Sequence, residues 1–150
     1  MDEDIKEAWL IATRLLSRRE YSQHEISLKL RARDCKESVI EETLSTLVEQ
    51  GYQSDERFTE HFTRFRASKG YGPKRIRQEL REKGVSADVI EAGMKAAEVD
   101  WFERVTDVHA KKFKGEAADS WEQQGKQTRF LDYRGFTREQ IEHCVHQHEE

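Results

Sequence analysis

A basic stretch in the middle of the chain has the residue types of a surface that binds anions. Eight basic side chains lie between Arg64 and Lys83, and only two acidic ones, Glu79 and Glu82, oppose them, which gives a local charge of +6 on a chain of net charge −4. Arginine binds phosphates and carboxylates through a planar fork of donors. The excess therefore favours contact with nucleic-acid phosphates or with an acidic protein groove, although a solvated helix face is the alternative interpretation. The candidate contact residues are Arg64, Arg66, Lys69, Lys74, Arg75, Arg77 and Arg81.

Two helices separated by a glycine-rich turn are expected to carry this stretch. Phe58, Phe62 and Phe65 follow one another at i, i+4 and i+7, which predicts one apolar face on the first helix. Residues 69–72, Lys-Gly-Tyr-Gly, are expected to end it. The only proline, Pro73, fits the first position of the next helix, where its missing N–H has no intrahelical partner to lose.

On the second of these helices, basic and apolar residues fall on different sides. Lys74, Arg77 and Arg81 lie at i, i+3 and i+7, and this stripe is largely opposite Ile76 and Leu80. We therefore predict that packing of the apolar side leaves the basic stripe available to a partner.

The sequence repeats itself with a period close to 50 residues. Equivalent residues 50 positions apart are Tyr21 and Tyr71, Ile26 and Ile76, Leu30 and Leu80, Val39 and Val89, Ile40 and Ile90, and Leu44 and Met94. A weaker third copy follows at an offset of 51, where residues 135–137 mirror residues 84–86. A fixed period of this length is typical of repeat proteins. We predict an all-α chain of nine helices in three tandem three-helix, helix-turn-helix-like repeats (1–50, 51–98 and 99–150) that form an elongated, curved array.

Composition narrows the class of protein. Charged residues make up 37% and hydrophobic residues 35%, which predicts a thin core, while the helical periodicity and the modest net charge argue against disorder. The acidic N-terminus lacks the apolar run of a signal peptide, and no stretch approaches the roughly 20 apolar residues that span a bilayer. Cys35 and Cys144 are expected to be reduced thiols. These features predict a cytoplasmic protein without membrane contact.

Catalytic and metal-binding motifs are not found in the sequence. It contains no Gly-x-x-x-x-Gly-Lys, no Gly-x-Ser-x-Gly and no His-Glu-x-x-His. The only metal-like group is His143, Cys144, His146 and His148, and its members would lie on different faces of one helix. We therefore interpret this group as a polar chain end, and we expect neither an enzyme nor a cofactor.

The middle of the chain also carries a long motif in three parts. The parts are Asp55-x-Arg57-Phe58, then Gly70-x-Gly72-Pro73-x-Arg75-Ile76-Arg77-x-Glu79-Leu80, and then Lys83-Gly84-Val85. They resemble the central motif of the RecX family, the bacterial regulators of the RecA recombinase. Gln53 and Ser54 depart from the aliphatic–acidic pair expected before Asp55. The resemblance covers the chain from about residue 10 onward and implies the same tandem helical repeats.

The resemblance implies a function that could not be inferred from the composition. Proteins similar to RecX bind RecA filaments on single-stranded DNA in the filament groove. They limit filament growth or favour its loss, and so suppress the recombinase, ATPase and LexA co-protease activities. The resemblance does not indicate which side chains touch the filament. From the charge pattern we hypothesise that the seven basic candidates supply part of the contact, and we expect a monomer with weak direct DNA contact. The alternative is a stand-alone nucleic-acid-binding protein, which would bind DNA tightly without RecA.

Overall fold

The structure, a computed structural model, describes residues 2–116 and 118–145 of the 150-residue chain. Within these residues the chain forms nine α-helices and no β-strand, which confirms the predicted all-α class and its grouping into three-helix repeats. The repeat boundaries at 50/51 and 98/99 stay a prediction. The helices are α1 (Glu3–Arg18), α2 (Gln23–Ala32), α3 (Glu37–Glu49), α4 (Asp55–Ser68), α5 (Pro73–Glu82), α6 (Ala87–Ala96), α7 (Trp101–Phe113), α8 (Trp121–Tyr133) and α9 (Arg138–Cys144).

The chain divides into two compact units. The first comprises the chain up to His61 together with Leu80–Ala96, and the second comprises Phe62–Glu79 together with the chain from Ala97 onward. In the first unit, α1, α2 and α3 enclose a core formed by Ala8, Ala12, Ile26, Leu30, Val39, Ile40 and Leu47. In the second unit, α7, α8 and α9 enclose a core formed by Val105, Leu131, Phe136, Ile141 and Val145.

The middle helix of each repeat ends in the same kind of turn. The second residue after the helix has a left-handed backbone in each case: Asp34 (φ 62°), Gly84 (φ 77°) and Gly135 (φ 98°). The amide of the next residue donates to the carbonyl five positions back, over 3.1 to 3.2 Å: Cys35 to Leu30, Val85 to Leu80, and Phe136 to Leu131. This bond satisfies a carbonyl that the helix end leaves without a partner. The three turns therefore match the 50- and 51-residue offsets in the sequence.

The first repeat meets the second where the start of α2 lies against the turn after α5. We call this contact the first junction (residues 22–25 with 83–84). The hydroxyl of Ser22 donates to the carbonyl oxygen of Lys83 over 2.8 Å. The Lys83 ammonium donates to a Glu25 carboxylate oxygen over 3.2 Å. A Cβ atom at Gly84 would lie 2.5 Å from the Cβ of His24, so a larger residue does not fit.

The second repeat meets the third through equivalent segments. We call this contact the second junction (residues 72–75 with 134–135). The amide of Gly72 donates to the Arg134 carbonyl over 2.7 Å, and the amide of Lys74 donates to the Gly135 carbonyl over 2.9 Å. A Cβ atom at Gly135 would lie 2.4 Å from the Cβ of Arg75. Backbone thus packs directly on backbone here.

The aromatic face predicted for α4 is only partly correct. Phe58 is 2% exposed, whereas Phe65 is 57% exposed. Beyond Phe58, the buried positions of α4 are small residues: Thr59, Thr63 and Ala67. Residue 65 is about 200° around the helix from residue 67, so it faces solvent. At Thr59 the close approach of α6 is visible, because a Cβ at Gly93 would lie 2.5 Å from the Thr59 side chain.

We predict that Gly135→Ala destabilises the protein far more than Gly51→Ala. Both positions have positive φ, but Gly51 has no neighbouring atom within 4 Å of an added Cβ. Both substitutions carry the strain of a left-handed backbone, of the order of 1 kcal/mol. Gly135→Ala adds overpacking, roughly 1 to 3 kcal/mol. The difference is measured by the midpoints of urea unfolding. Equal midpoints would show that the second junction accommodates the added methyl group without further loss of stability.

We predict that Glu25 makes stability depend on pH. Burial acts to raise the pKa of Glu25, but the Ser22 amide, Arg19 and Lys83 together lower it below its ordinary value of 4.5. The stabilisation is therefore fully present above pH 4.5 and is lost as the pH falls through the lowered value. Glu25→Gln should lower the melting temperature at pH 7, and the difference from the unsubstituted protein should shrink in acid. A difference that is independent of pH would contradict this prediction.

Candidate partner-contact surface

Tyr71, in the turn between α4 and α5, lies at the centre of the basic surface. The guanidinium carbons of Arg66, Arg75 and Arg134 lie 3.9, 4.5 and 4.9 Å from the centroid of its ring. A cation over an aromatic face is stabilised by about 0.5 to 2 kcal/mol, depending on its exposure. We call these four residues the Tyr71 cluster. The ring allows three positive charges to share one small region of the surface.

Local backbone structure brings the members of the cluster together. The amide of Tyr71 donates to the Arg66 carbonyl over 3.2 Å, which folds the turn back over the last turn of α4. The second junction places Arg134, at the end of α8, beside this turn. The Arg134 guanidinium donates to the Lys69 carbonyl over 3.4 Å. Arg75 enters from the first turn of α5. The cluster therefore joins three helix ends in the second unit.

One carboxylate partly neutralises the cluster. Arg66 donates two hydrogen bonds to Glu79, over 2.8 and 2.7 Å. Arg75 forms an ion pair with the same carboxylate at 3.5 Å. The hydrogen bonds to Glu79 raise the pKa of Arg66 above its ordinary value, because they favour the charged guanidinium. Three arginines and one glutamate leave two positive charges uncompensated within the group.

A second carboxylate reduces the charge of the adjoining surface. The Lys74 ammonium donates to Asp132 over 3.0 Å, across 58 residues of sequence. Both side chains are more than half exposed, so the pair contributes little to stability, about 0 to 1 kcal/mol. Sequence reasoning had counted only Glu79 and Glu82 against the basic stretch. Asp132 is a further opposing charge that only the fold brings into contact.

The other predicted residues lie on α4, on α5 and in the turn between these helices. Lys69 places its ammonium 5.4 Å from the ring centroid of Phe65. Arg64 donates to the Ala97 carbonyl over 3.3 Å. Arg77 is half-buried and Arg81 is exposed on α5, and each has interactions of its own. The structure thus gathers Arg66, Lys69, Lys74 and Arg75, whereas Arg64 points toward the start of the segment that follows α6.

Sequence reasoning missed two members of this surface. Arg134 lies outside the basic stretch singled out in the sequence, yet it completes the Tyr71 cluster. Tyr133 is 74% exposed, accepts a hydrogen bond from Arg75 at its carbonyl over 3.5 Å, and has the Arg75 guanidinium 5.4 Å from its ring centroid. The 51-residue offset could have indicated Arg134, since it is equivalent to Lys83 of the first junction.

The sequence also raised the questions of a metal site, of the two cysteines and of membrane-spanning helices. No three histidine, cysteine, aspartate or glutamate side chains converge as metal ligands within residues 2–116 and 118–145, while His146 and His148 lie outside the described residues. Cys35 and Cys144 are free thiols. Over the same ranges, no helix has both the length and the apolar character to cross a bilayer.

Comparison with family models decides which family this arrangement represents. Residues 8–47 match the first three-helix domain of RecX, residues 54–94 the second, and residues 98–145 the third. The chain belongs to the RecX family. In RecX terms, Arg66, Tyr71 and Arg75 come from the second domain and Arg134 from the third, so the cluster requires both.

Individual RecX proteins are similar over most of their length. Regulatory protein RecX of Pseudomonas putida (strain GB-1) is 43% identical over 127 residues, which are 85% of this chain and 81% of the relative. The protein of the same name from Pseudomonas syringae pv. tomato (strain DC3000) is 40% identical, with coverage of 85% and 82%. The crystal structure of RecX from Lactobacillus salivarius matches with a TM-score of 0.79 at 24% identity, covering 95% of this chain and 94% of that one. The last comparison supports the fold, and the first two place the chain among proteins named as regulators rather than enzymes.

We predict that Asp132→Asn strengthens binding to a polyanion. Removal of the carboxylate releases the Lys74 ammonium and adds one positive charge beside the Tyr71 cluster. The variant should elute from a heparin column at higher salt than the unsubstituted protein, and Lys74→Ala at lower salt. Asp88→Asn makes the same change in net charge at an exposed position of α6 and serves as the control. Equal shifts for both asparagine variants would mean that net charge, not this surface, determines retention.

Proposed function

We propose that this chain is a cytoplasmic negative regulator of RecA. It binds as a monomer in the groove of RecA filaments on single-stranded DNA and limits filament extension or promotes disassembly. It thereby inhibits the recombinase, ATPase and LexA co-protease activities of RecA, and acts in DNA repair, recombination and the SOS response. Membership of the RecX family supports the regulatory role, and the rest is our inference.

The observation that carries the proposal is the uncompensated charge of the Tyr71 cluster. Three guanidinium groups surround one ring, and among residues 2–116 and 118–145 their ion pairs are with Glu79, so they form a cationic site on a chain of net charge −4. Such a site attracts the phosphates of DNA or the carboxylates of a protein groove. The basic side chains assigned to the contact are Arg64, Arg66, Lys69, Lys74, Arg75, Arg77 and Arg81.

Several modest contacts add up when one molecule touches successive sites on a regular partner. Each surface charge contributes little by itself because water and salt screen it. Linked contacts act at a high effective concentration, so a chain with three tandem domains gains affinity by engaging neighbouring RecA subunits. A filament provides such sites at regular spacing, whereas an isolated RecA subunit does not. Inhibition is therefore expected to depend on filament formation.

We predict that the joint substitution Lys74→Ala, Arg77→Ala and Arg81→Ala weakens inhibition of RecA. The measurement is RecA's ATP hydrolysis on single-stranded DNA while this protein is titrated in. Loss of three cations should raise the concentration needed for half inhibition by about tenfold or more, if each contributes about 0.5 to 1 kcal/mol. The matched control is Lys29→Ala, Arg33→Ala and Lys36→Ala, which removes the same charge from exposed positions of the first repeat.

Circular dichroism of both triple variants separates binding from folding. Inhibition that survives intact in a fully helical Lys74, Arg77 and Arg81 variant would refute the role of the basic surface. No inhibition by the unsubstituted protein, combined with tight binding to naked DNA, would favour the stand-alone nucleic-acid-binding alternative. That alternative also predicts an affinity that falls by about 0.7 to 0.9 log units per phosphate contact for each tenfold rise in salt.

A further inference from the structure

Two large aromatic rings are exposed beside the Tyr71 cluster. Tyr133 at the end of α8 is 74% exposed, and Phe65 in the last turns of α4 is 57% exposed. Each ring has a cation near it, because the Arg75 guanidinium lies 5.4 Å from the Tyr133 centroid and the Lys69 ammonium lies 5.4 Å from the Phe65 centroid. A single exposed aromatic residue needs no explanation. Two exposed rings that each lie near a cation of the same basic surface do need one.

The positions of the rings in the sequence tie them to that site. Phe65 directly precedes Arg66, and Tyr133 directly precedes Arg134, so each ring is followed by an arginine of the Tyr71 cluster. Arg134 also donates to the backbone carbonyl of Lys69, the residue whose ammonium borders Phe65. The rings therefore flank one patch of positive charge in the second unit.

This combination distinguishes among anionic ligands. An acidic protein groove would be matched by the arginines, but it would also need apolar pockets for the two exposed rings. Duplex DNA presents its phosphates but keeps its bases stacked inside the helix. Single-stranded nucleic acid presents both groups, and proteins bind it with basic grooves in which aromatic side chains stack on successive bases. Rings next to arginines fit that ligand.

We propose that Tyr133 and Phe65 are base-stacking positions for single-stranded nucleic acid, whose phosphates lie along Arg75, Arg134 and Lys69. The inference rests on the proposed function for its setting, since it makes the DNA strand of the RecA filament a direct ligand of this surface. Tyr133 contributes its ring face and Arg75 a phosphate contact. Asp132 and Glu79 lower the charge that the strand meets, so the contact is weak without RecA.

The test measures binding of a fluorescein-labelled oligothymidylate and of an abasic oligonucleotide of equal length, both without RecA, by fluorescence anisotropy. Tyr133→Ala should weaken binding of oligothymidylate by roughly 5- to 100-fold, the range seen when one stacking residue is removed. It should leave the abasic strand unaffected. The slope of log affinity against log salt should not change, because no phosphate contact is lost. Phe65→Ala should act in the same way.

Two control variants define the comparison. Tyr133→Phe retains the ring and should bind as the unsubstituted protein does. Tyr52→Ala removes a half-exposed tyrosine whose ring lies edge-on to Trp9 in the first unit, and it should change neither affinity. Arg75→Ala, in contrast, should reduce the salt slope by about 0.7, since it removes one phosphate contact with a single strand.

The outcomes separate this inference from the function on which it rests. Equal losses on the two oligonucleotides, or no loss on either, would overturn base stacking. Inhibition of RecA ATP hydrolysis by the unsubstituted protein would then still stand as a separate result. Conversely, a thymidylate-specific loss in Tyr133→Ala, from a protein that does not inhibit RecA, would support the stacking site and refute the RecA role.

Discussion

The close approach of backbone segments at the two junctions is the constraint on which the rest of the structure depends. Gly84 and Gly135 have left-handed backbones and no room for a Cβ atom. The equivalent residue of the first repeat, Asp34, has the same left-handed conformation but is exposed. Aspartate tolerates this conformation, so the turn alone does not demand glycine. At Gly84 and Gly135 the demand comes from the preceding repeat, because His24 and Arg75 lie where a Cβ atom would be.

The cationic surface is a consequence of the second junction. Arg134 reaches Tyr71 only because the amide of Gly72 donates to its carbonyl, which fixes the end of α8 beside the turn after α4. Backbone contacts thus bring the three arginines to one place, and contacts with the Tyr71 ring and with Glu79 hold their guanidinium groups there. Side chains that are held in place before binding lose less conformational entropy when a partner arrives. The stability of the second junction and the preorganisation of the cationic surface are therefore coupled.

The helices could be predicted from the sequence because the residues that begin and end them act locally. Proline at the start of α5, serine at the start of α2 and glycine after α5 each act within a few residues, and the 50-residue period adds a second, independent signal. The surface was predicted only in part. Asp132 and Arg134 join it across about 60 residues of sequence, and no local pattern reports such a contact. Phe65 was misplaced because the spacing of the phenylalanines does not show which side of α4 is buried. The buried side carries Thr59, Thr63 and Ala67 beside Phe58.

Comparison of the junctions shows that the charge of the second is not needed for the fold. In the first junction a carboxylate, Glu25, pairs with Lys83. The equivalent residues of the second junction, at offsets of 50 and 51, are Arg75 and Arg134, so a pair of opposite charges is replaced by two like charges. Like charges at short range repel, and Tyr71 and Glu79 offset that repulsion here only in part. The same backbone contact forms with the balanced pair, so folding alone does not account for the exchange. The anionic ligand that we propose would account for it, because its binding would relieve the repulsion that the second junction retains.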